Sequence, residues 1–319
     1  MRREETTKGT KETKEATLPF VDLQVNGYAG VDFNQDDLGE LDLHRACQRL
    51  REDGVAGCLA TIITDDLPRM ESRLARIAAI RERDPLVRDV LWGIHVEGPF
   101  ISSLPGYHGA HPSETIRPAD VGLMQRLLDA ADGLVRLVTL APECDPGLKL
   151  VRHLVDRKVL VSAGHCDPTL DQLLAAIDAG LSMFTHLGNG CPAVLARHDN
   201  IVQRALSVRD RLTICFIVDG VHIPVVALRN YLHLTGTQQV VGVTDAMSAA
   251  GCGPGRYRLG VQTVEVREDM IARAPGGTQL AGSTATMPRV AALLRKQVGL
   301  SDDDLHRLLV ENPRRLLGV

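Results

Sequence analysis

Two patterns of hydrophobic positions alternate along the chain from Leu18 onward. Short runs rich in Val, Ile and Leu are apolar at nearly every position, which is typical of parallel strands buried on both faces. Longer segments between them place their apolar residues at helical spacing. The sequence therefore predicts eight strands, at Phe20–Val25, Gly57–Ile63, Val90–Val96, Val135–Leu140, Val159–Ala163, Met183–His186, Thr213–Val218 and Val240–Val243.

Helices are predicted between these strands and after the last one. Asp167 with Pro168 has the pattern of a capped helix start, Ser301 precedes an acidic first turn, and Gly180 follows a helix end. The predicted helices lie near Leu43–Arg51, Leu67–Glu82, Ala119–Ala131, Pro146–Val155, Leu170–Ala179, Asn200–Ser207, Pro224–Leu234, Thr286–Lys296 and Ser301–Val310.

Eight strands that alternate with helices predict a (β/α)8 barrel, the TIM-type fold of the α/β class. A doubly wound open sheet is the alternative, but no GxGxxG motif follows the first strand. The pattern changes near residues 253–282, where glycine, proline and short alternating segments predict a β-hairpin insertion. We therefore expect one barrel domain over residues 18–319, preceded by a disordered polar tail over residues 1–17.

Composition narrows the class of protein without changing the predicted fold. The 319 residues are 44% hydrophobic and 24% charged, with a formal net charge of −4, which argues against a nucleic-acid-binding protein. No run of about 18 apolar residues indicates a membrane-spanning helix. Seven cysteines without a CxxC pair, and an amino terminus without a secretory signal, predict a cytoplasmic protein with reduced thiols.

Reactive side chains follow the predicted strands at the end where a barrel forms its active site. Glu97 follows the third strand, His165 the fifth, His186 the sixth and Asp245 the eighth. A single histidine at a strand end is more often a core residue, but one carboxylate and two imidazoles together suit a catalytic zinc site. Such a metal lowers the pKa of a bound water, and Asp245 can accept the water's proton and pass it to a leaving amine.

Three neighbouring residues are weaker candidates for the same site. His95 precedes Glu97 by two positions on the same strand face and can belong to it. Glu143 ends the fourth strand and could reach a second metal, although we favour a structural role. Cys166 follows His165, and we do not expect it to be a nucleophile.

A series of motifs follows in order along nearly all of Phe20 to Val319. The motifs are FVDLQVNGYAGVDF, HVEGPFIS with GAHP, SAGH, THLGNGCP, DGVHIP, VTDAMSAAG, PGRYRLG, LAGSTATM and NPRRLLG. Together they resemble the N-acetylglucosamine-6-phosphate deacetylase family of the amidohydrolase superfamily. The resemblance implies a hydrolase that converts N-acetylglucosamine 6-phosphate to glucosamine 6-phosphate and acetate.

The resemblance also implies roles for single residues. Metal binding is implied for Glu97, His165 and His186, and catalysis for Asp245 and His111. Arg197 and His222 match phosphate-binding positions of the family. Arginine can bind a phosphate through two parallel hydrogen bonds. In dimers of the family one such group can come from the neighbouring subunit, so a homodimer is expected. The matched substrate-binding positions are Asn189, Gly190, Arg197 and His222.

Two departures from the superfamily change the expected architecture. Where the superfamily has His-x-His on the first strand, this chain has Gln24 and Asn26, which are poor metal ligands. We therefore expect one divalent metal ion, zinc being favoured over iron, manganese or cobalt, with Gln24 and Asn26 outside its directly bound ligands. Only a charged tail precedes the first strand and the chain stops after the last predicted helix, so the family's small β-sandwich is expected to be absent.

The sequence leaves two alternatives to the deacetylation of N-acetylglucosamine 6-phosphate. Because GNGCPAV and the segment Arg197–Asn200 alter the predicted phosphate site, the substrate could be another N-acetylated sugar, its phosphate, or a cyclic amide. The other alternative is a non-catalytic, metal-stabilised sugar-phosphate binder, against which an intact Asp245 argues. In every case the expected partner is a small molecule, with neither nucleic acid nor membrane.

Overall fold

The computed structural model describes residues 18–277 and 279–319, and the predicted tail over residues 1–17 lies outside them. Strand β1 (Phe20–Val25) leads into a two-stranded antiparallel ribbon, β2 (Gly27–Tyr28) and β3 (Val31–Asp32). Seven further strands lie parallel to β1 in chain order, which confirms the predicted (β/α)8 barrel. They are β4 (Val55–Ile63), β5 (Leu91–Glu97), β6 (Val135–Leu140), β7 (Leu160–Ala163), β8 (Met183–Phe184), β9 (Thr213–Ile217) and β10 (Val240–Val243).

Both faces of these strands are buried, as their apolar runs predict. Side chains such as Val21, Leu59 and Leu137 fill the barrel interior. Neighbouring positions on the same strands point outward into the layer between the sheet and the helices. Leu317, near the end of the chain, joins the interior cluster and is 3% exposed, so the carboxyl-terminal helix covers one end of the barrel.

The barrel closes between β1 and β10 through few backbone bonds. Val25 and Ala246 form a single parallel bridge there. Asp22 adds side-chain bonds, because its Oδ2 accepts the Thr244 hydroxyl at 2.5 Å and its Oδ1 lies 3.3 Å from the Thr244 amide nitrogen. One buried aspartate therefore holds much of this seam.

Eleven α-helices surround the barrel in the part of the chain that the structure describes. Two π-helical turns, Leu294–Val298 and Arg307–Glu311, extend the ninth helix and join the last two. None of these helices has the length and hydrophobicity needed to span a lipid bilayer. The helices are α1 (Glu40–Glu52), α2 (Leu67–Arg83), α3 (Pro85–Val90), α4 (Val121–Ala130), α5 (Lys149–Asp156), α6 (Leu170–Asp178), α7 (Ile201–Ser207), α8 (Val225–Thr235), α9 (Met287–Leu293), α10 (Asp302–His306) and α11 (Asn312–Leu317).

The predicted start of α6 at Leu170 is confirmed, but its capping residue differs from the sequence prediction, and one short helix was not predicted. Thr169, rather than Asp167, caps α6: its hydroxyl accepts from the Gln172 amide at 3.2 Å, and the Gln172 side chain accepts from the Thr169 amide at 2.8 Å. This reciprocal capping box satisfies two backbone donors, which a cap by Asp167 would not do. Helix α3 was not predicted, although Asp84 caps it, because it has only six residues.

Backbone conformation explains two further differences in element ends. Strand β8 ends at Phe184 instead of at His186, because His186 has a φ of +33° and cannot continue a strand. The helix predicted from Pro146 begins at Lys149, because Leu148 has a φ of +52° and separates it from a short 3-10 turn. The predicted cap at Ser301 is confirmed, since its hydroxyl accepts from the Asp304 amide at 3.2 Å.

The region near residues 253–282 forms a three-stranded antiparallel sheet, β11 (Gly255–Leu259), β12 (Gln262–Val266) and β13 (Ala272–Arg273). Its inner face packs on a separate small apolar cluster that includes Met247. Within the described ranges, antiparallel pairing between strands is limited to this sheet and the ribbon of β2 and β3. The sheet covers one side of the carboxyl ends of the barrel strands.

Candidate metal centre and substrate pocket

A cavity of about 430 Å³ lies at the carboxyl ends of the barrel strands. Its lining includes the last residues of β4, β5 and β9 and residues on the segments that follow β1, β7, β8, β9 and β10. Most of the polar side chains that the sequence placed at strand ends therefore meet in one place, where His111 of the loop after β5 joins them. Those that line the cavity are Asn26, Glu97, His111, His165, His186, Asn189, His222 and Asp245.

Three of these side chains converge with the spacing of metal ligands. The Oε1 atom of Glu97 lies 3.3 Å from Nε2 of His165 and 2.9 Å from Nε2 of His186, and all three side chains are buried. Ligand atoms bound to zinc at roughly 2.0–2.1 Å in a tetrahedron lie about 3.3 Å apart. A carboxylate and two imidazoles with this spacing fit a divalent metal ion.

Contacts on both edges of its ring fix the orientation of His165. Nδ1 lies 2.8 Å from the Tyr107 carbonyl oxygen, to which it donates, so Nε2 is the nitrogen that faces Glu97 and is available to a metal ion. A Cβ atom at Gly190 would come within 2.7 Å of Nδ1, and one at Gly109 within 3.0 Å of Cε1. Both glycines also have positive φ, so larger residues would be strained and would displace the ring.

The backbone itself is unusual where the reactive side chains leave their strands. His165, His186 and Asp245 have φ values of +50°, +33° and +50°, in the left-handed region that non-glycine residues seldom adopt. Each residue therefore turns the chain sharply out of its strand. Strained conformations of this kind are commonly held at functional sites, where surrounding contacts compensate for them.

The charge state of the cluster suits a cation. Burial raises the pKa of Glu97, but hydrogen bonds from His165 and His186 outweigh it and hold the pKa well below its ordinary value. Burial lowers the pKa of His186, but contact with Glu97 raises it above the ordinary value. Glu97 is thus ionised at neutral pH, the form in which a carboxylate binds a metal ion.

Asp245 has a different environment from Glu97. Burial and the charge of Glu97 raise its pKa to about 6. Asn26 donates from Nδ2 to Oδ1 of Asp245 at 2.7 Å, and Gln24 donates from Nε2 to Oε1 of Glu97 at 3.2 Å. The side-chain amides of Gln24, in β1, and Asn26, directly after it, thus bind the two carboxylates of the site.

His111 lies on the loop after β5, with Nε2 at 3.2 Å from Nε2 of His165. Burial and the charge of His165 lower the pKa of His111 to about 3, so its imidazole is neutral at neutral pH. The Gln262 side chain of β12 donates to the carbonyl oxygen of Ala110 at 2.5 Å. The small antiparallel sheet thereby supports the segment that carries His111.

The sequence is similar to named proteins over 94% of the chain, although no protein-family model matches it. The N-acetylglucosamine-6-phosphate deacetylase of Bacillus subtilis (strain 168) is 35% identical over 302 residues, which are 94% of this chain and 74% of the relative. The chain belongs to the N-acetylglucosamine-6-phosphate deacetylase family. The assignment made from the sequence motifs is therefore confirmed.

Two further comparisons agree with this family. The N-acetylgalactosamine-6-phosphate deacetylase of Escherichia coli O157:H7 is 32% identical over 94% of this chain and 77% of the relative. The structure of a mutant N-acetyl-D-glucosamine-6-phosphate deacetylase from Mycobacterium smegmatis, in complex with N-acetyl-D-glucosamine-6-phosphate, superposes with a TM-score of 0.85. It is 34% identical, and the match covers 95% of this chain and 78% of that one.

The structure separates the residues that the deacetylase motifs assign to the substrate. Asn189, Gly190 and His222 line the cavity, whereas Arg197 is exposed and does not. No lysine or arginine lies among the cavity-lining residues in the described part of the chain. The phosphate-binding role of Arg197 stays a prediction.

The weaker candidates lie beside or beneath the deacetylase pocket. His95 is in the barrel interior, 2.7 Å from the Thr139 hydroxyl, and burial lowers its pKa to about 4. Glu143 accepts the backbone amide of Asp167 at 2.6 Å and does not line the cavity. Burial raises the pKa of Cys166 well above its ordinary value, so its thiol stays protonated.

Sequence analysis missed two contacts that organise the pocket. The Tyr107 carbonyl orients His165, but a backbone acceptor leaves no signal in residue identity. Asp219 binds His222 three residues later, at 2.7 Å between Oδ2 and Nδ1. An aspartate placed just before a candidate site histidine was the available signal for this contact, since such histidines commonly donate to a carboxylate.

Proposed function

We propose that this chain hydrolyses the acetamide bond of N-acetylglucosamine 6-phosphate, giving glucosamine 6-phosphate and acetate. The observation that carries the proposal is the convergence of Glu97, His165, His186 and Asp245 at one cavity. Family membership supplies the substrate class, because the relatives bear the names of amino-sugar-phosphate deacetylases. The cavity, about 430 Å³, is large enough for a sugar phosphate.

Glu97, His165 and His186 would hold one divalent ion, for which zinc is proposed and iron, manganese or cobalt are alternatives. Such an ion supplies Lewis-acid activation of water and of the amide carbonyl. Gln24 binds Glu97 and thereby orients this carboxylate, without a proposed bond to the ion.

Asp245 acts as general base and then as general acid. A carboxyl group with a pKa of about 6 is ionised at neutral pH and still basic enough to take a proton from the attacking water. Asn26 occupies Oδ1 of Asp245, which leaves Oδ2 for that proton. When the C–N bond breaks, Asp245 returns the proton to the departing amine.

His111 stabilises the oxygen on which negative charge develops. Because its imidazole is neutral, it can donate an N–H hydrogen bond without carrying a charge of its own in the ground state. Its Nε2 atom already points to the centre of the site, 3.2 Å from Nε2 of His165. The Gln262 contact keeps the loop of His111 in place.

The phosphate would lie beside His222, on the segment after β9 that lines the cavity. Asn189 and the Gly190 main chain are proposed to bind the sugar phosphate, with His222 at the phosphate itself. Arg197 is exposed, so we propose that it reaches the phosphate of a second copy in a homodimer. A cytoplasmic location is proposed from the reduced cysteines.

The first test is acetate release by metal-loaded protein from N-acetylglucosamine 6-phosphate. Unphosphorylated N-acetylglucosamine and N-acetylgalactosamine 6-phosphate are assayed in parallel. We expect fast release from the phosphorylated glucosamine only. No release from any of the three, with metal bound and the fold intact, would overturn the proposal.

The Asp245→Asn variant provides the control for chemistry. We expect it to lose turnover by about 10³-fold or more and to keep substrate binding, measured calorimetrically. Wild-type protein that binds the sugar phosphate without turnover would instead favour the non-catalytic binder. Preferential release from the galactosamine epimer would support the second candidate, which the 32% identity to the Escherichia coli relative favours.

A further inference from the structure

Asp219 and His222 form a pair at the edge of the cavity, on the segment after β9. Oδ2 of Asp219 lies 2.7 Å from Nδ1 of His222. Both side chains are largely enclosed, with 7% and 9% of their surface exposed. His222 lines the cavity and Asp219 does not, so the histidine stands between the aspartate and any ligand.

The remaining contacts of Asp219 leave its carboxylate no freedom to turn. Oδ1 accepts the backbone amides of Val221 and His222, each at 2.8 Å. Burial raises the pKa of Asp219, but its bonds with His222 outweigh burial and hold the pKa below the ordinary value. An ionised carboxylate only accepts, so Nδ1 of His222 must carry a hydrogen and Nε2 is left for the ligand.

We propose that Asp219 is a positioning residue that makes His222 the phosphate-binding cation of this pocket. The inference rests on the proposed function for the identity of the ligand, a sugar phosphate. With a carboxylate at Nδ1 and a phosphate at Nε2, the imidazolium donates to an anion at both nitrogens. The pair thus distinguishes phosphorylated from unphosphorylated sugars in a cavity whose described lining has no lysine or arginine.

Two other charged groups face this pair. Asp245 lies close enough for its carboxylate to interact with His222, and its negative charge also favours the imidazolium. Arg289 of α9 lines a small recess with Asp219 and His222. Neither group makes a hydrogen bond to His222, so Asp219 is the contact that fixes the imidazole.

The decisive variant is Asp219→Asn. The asparagine oxygen stays with the two backbone amides, so its NH₂ group faces Nδ1 and only the neutral tautomer with hydrogen on Nε2 remains. We expect KM for N-acetylglucosamine 6-phosphate to rise by about tenfold, with kcat within about twofold. The KM of the much slower reaction with N-acetylglucosamine should stay unchanged. Removing a negative charge near an anion would by itself lower KM, so the rise reports the lost imidazolium.

The chain contains a matched control for this substitution. Asp84 accepts the amides of Leu86 and Val87, at 2.9 and 3.2 Å, and lies 2.7 Å from Nδ1 of His44. This pair repeats the contacts of Asp219 and His222 but is more exposed and lies outside the cavity. We expect Asp84→Asn to leave both KM values unchanged.

A double-mutant cycle tests whether Asp219 acts through the histidine. His222→Gln removes the proposed cation, and Asp219→Asn added to it should raise KM no further. Equal effects of Asp219→Asn on both substrates, or additive effects in the cycle, would overturn the proposal.

A readout without turnover separates this inference from the proposed function. In ¹⁵N-histidine-labelled protein, the His222 signals are assigned by their loss in His222→Gln. We expect hydrogen on Nδ1 in the wild type, hydrogen on Nε2 alone in Asp219→Asn, and weaker binding of inorganic phosphate by that variant. An unprotonated Nδ1 or unchanged phosphate binding would refute the pairing even in an active enzyme. Absence of deacetylation alongside the expected spectra would refute only the proposed function.

Discussion

The ring of His165 lies between two glycines, and this enclosure can be tested by adding a single methyl group. In Gly190→Ala the new Cβ would lie 2.7 Å from Nδ1 of His165, so we expect the ring to move and metal affinity to fall by about 10- to 100-fold. Competition with a chromophoric chelator measures that affinity.

Gly188→Ala is the matched control for this steric effect. Gly188 also has a positive φ, of +91°, but its nearest neighbour for a Cβ is the Tyr231 side chain at 3.9 Å. It therefore shares the backbone strain without the contact to His165. If both variants lost metal affinity equally, strain rather than the position of the ring would be the cause.

Asp22 at the barrel seam predicts an unusual dependence of stability on pH. Burial raises its pKa from the ordinary 3.8 to about 7, so between these values the folded protein holds a proton that the unfolded chain has lost. This stabilisation is complete below pH 3.8 and is lost as the pH rises through 7. The difference of about 3 corresponds to at most roughly 4 kcal/mol.

Asp22→Asn removes the titrating group but keeps an oxygen for the Thr244 amide. We expect the wild type to lose more stability than the variant between pH 5 and pH 8, both metal-free, in urea unfolding. Parallel losses in the two proteins would show that Asp22 is not the group responsible.

At the scale of elements, Asn312 joins the start of α11 to the chain that enters β10. Its Nδ2 donates to the carbonyl oxygens of Thr237 and Val240, at 2.9 and 2.7 Å, and the residue is fully buried. In Asn312→Asp both donors are lost and a carboxylate is buried beside two carbonyls. We expect the free energy of unfolding to fall by about 2–4 kcal/mol, measured by urea denaturation.

Asn230→Asp is the control for this change, because Asn230 is exposed on α8. The same substitution there should alter the free energy of unfolding by less than about 0.5 kcal/mol. A small effect at both positions would mean that the Asn312 bonds do not hold α11 on the barrel.

Strands were predictable from this sequence because burial on both faces leaves a continuous apolar run. β1, β6 and β10 begin and end at the predicted residues. Two of the errors fall where one residue leaves its expected conformation, at His186 and Leu148, whose positive φ values no hydrophobic pattern records. Local signals placed the start of α6 correctly at Leu170 but assigned its cap to the wrong residue, because Asp167 and Thr169 are both plausible caps and only the contacts of Gln172 separate them.

At the scale of the whole molecule, the proposed metal site joins three parts of the barrel that are far apart in the chain. Glu97, His165 and His186 belong to or follow β5, β7 and β8. An ion bound there stabilises only the folded state, by about 4 kcal/mol at a free concentration 1,000 times its Kd. We expect a chelator to lower the Tm and added zinc to restore it, at one ion per chain.

Glu97→Gln is the control for metal removal, since it eliminates the only carboxylate of the three. Its Tm should respond to neither chelator nor zinc. A wild-type Tm that is insensitive to both would contradict the metal site.

The sequence predicted which residues form the proposed metal site, but not the position of every residue proposed to bind the substrate. The order of strand ends showed that Glu97, His165, His186 and Asp245 share one rim, because every strand of a barrel ends there. The position of Arg197 could not be predicted, because it lies on a long loop whose path depends on tertiary contacts. The aspartate at position 199, two residues further on, pairs with Arg204 at 2.6 Å and helps to define that path.

The left-handed backbone at His165, His186 and Asp245 has an evolutionary consequence. Each such residue costs on the order of 1–2 kcal/mol relative to an ordinary conformation, and Asp245 adds a carboxyl group whose burial opposes its ionisation. Mutations that relax these positions would raise thermal stability while they abolish the proposed chemistry. Selection for activity therefore keeps the barrel below the stability its fold could reach, and a screen for heat resistance alone would favour inactive variants.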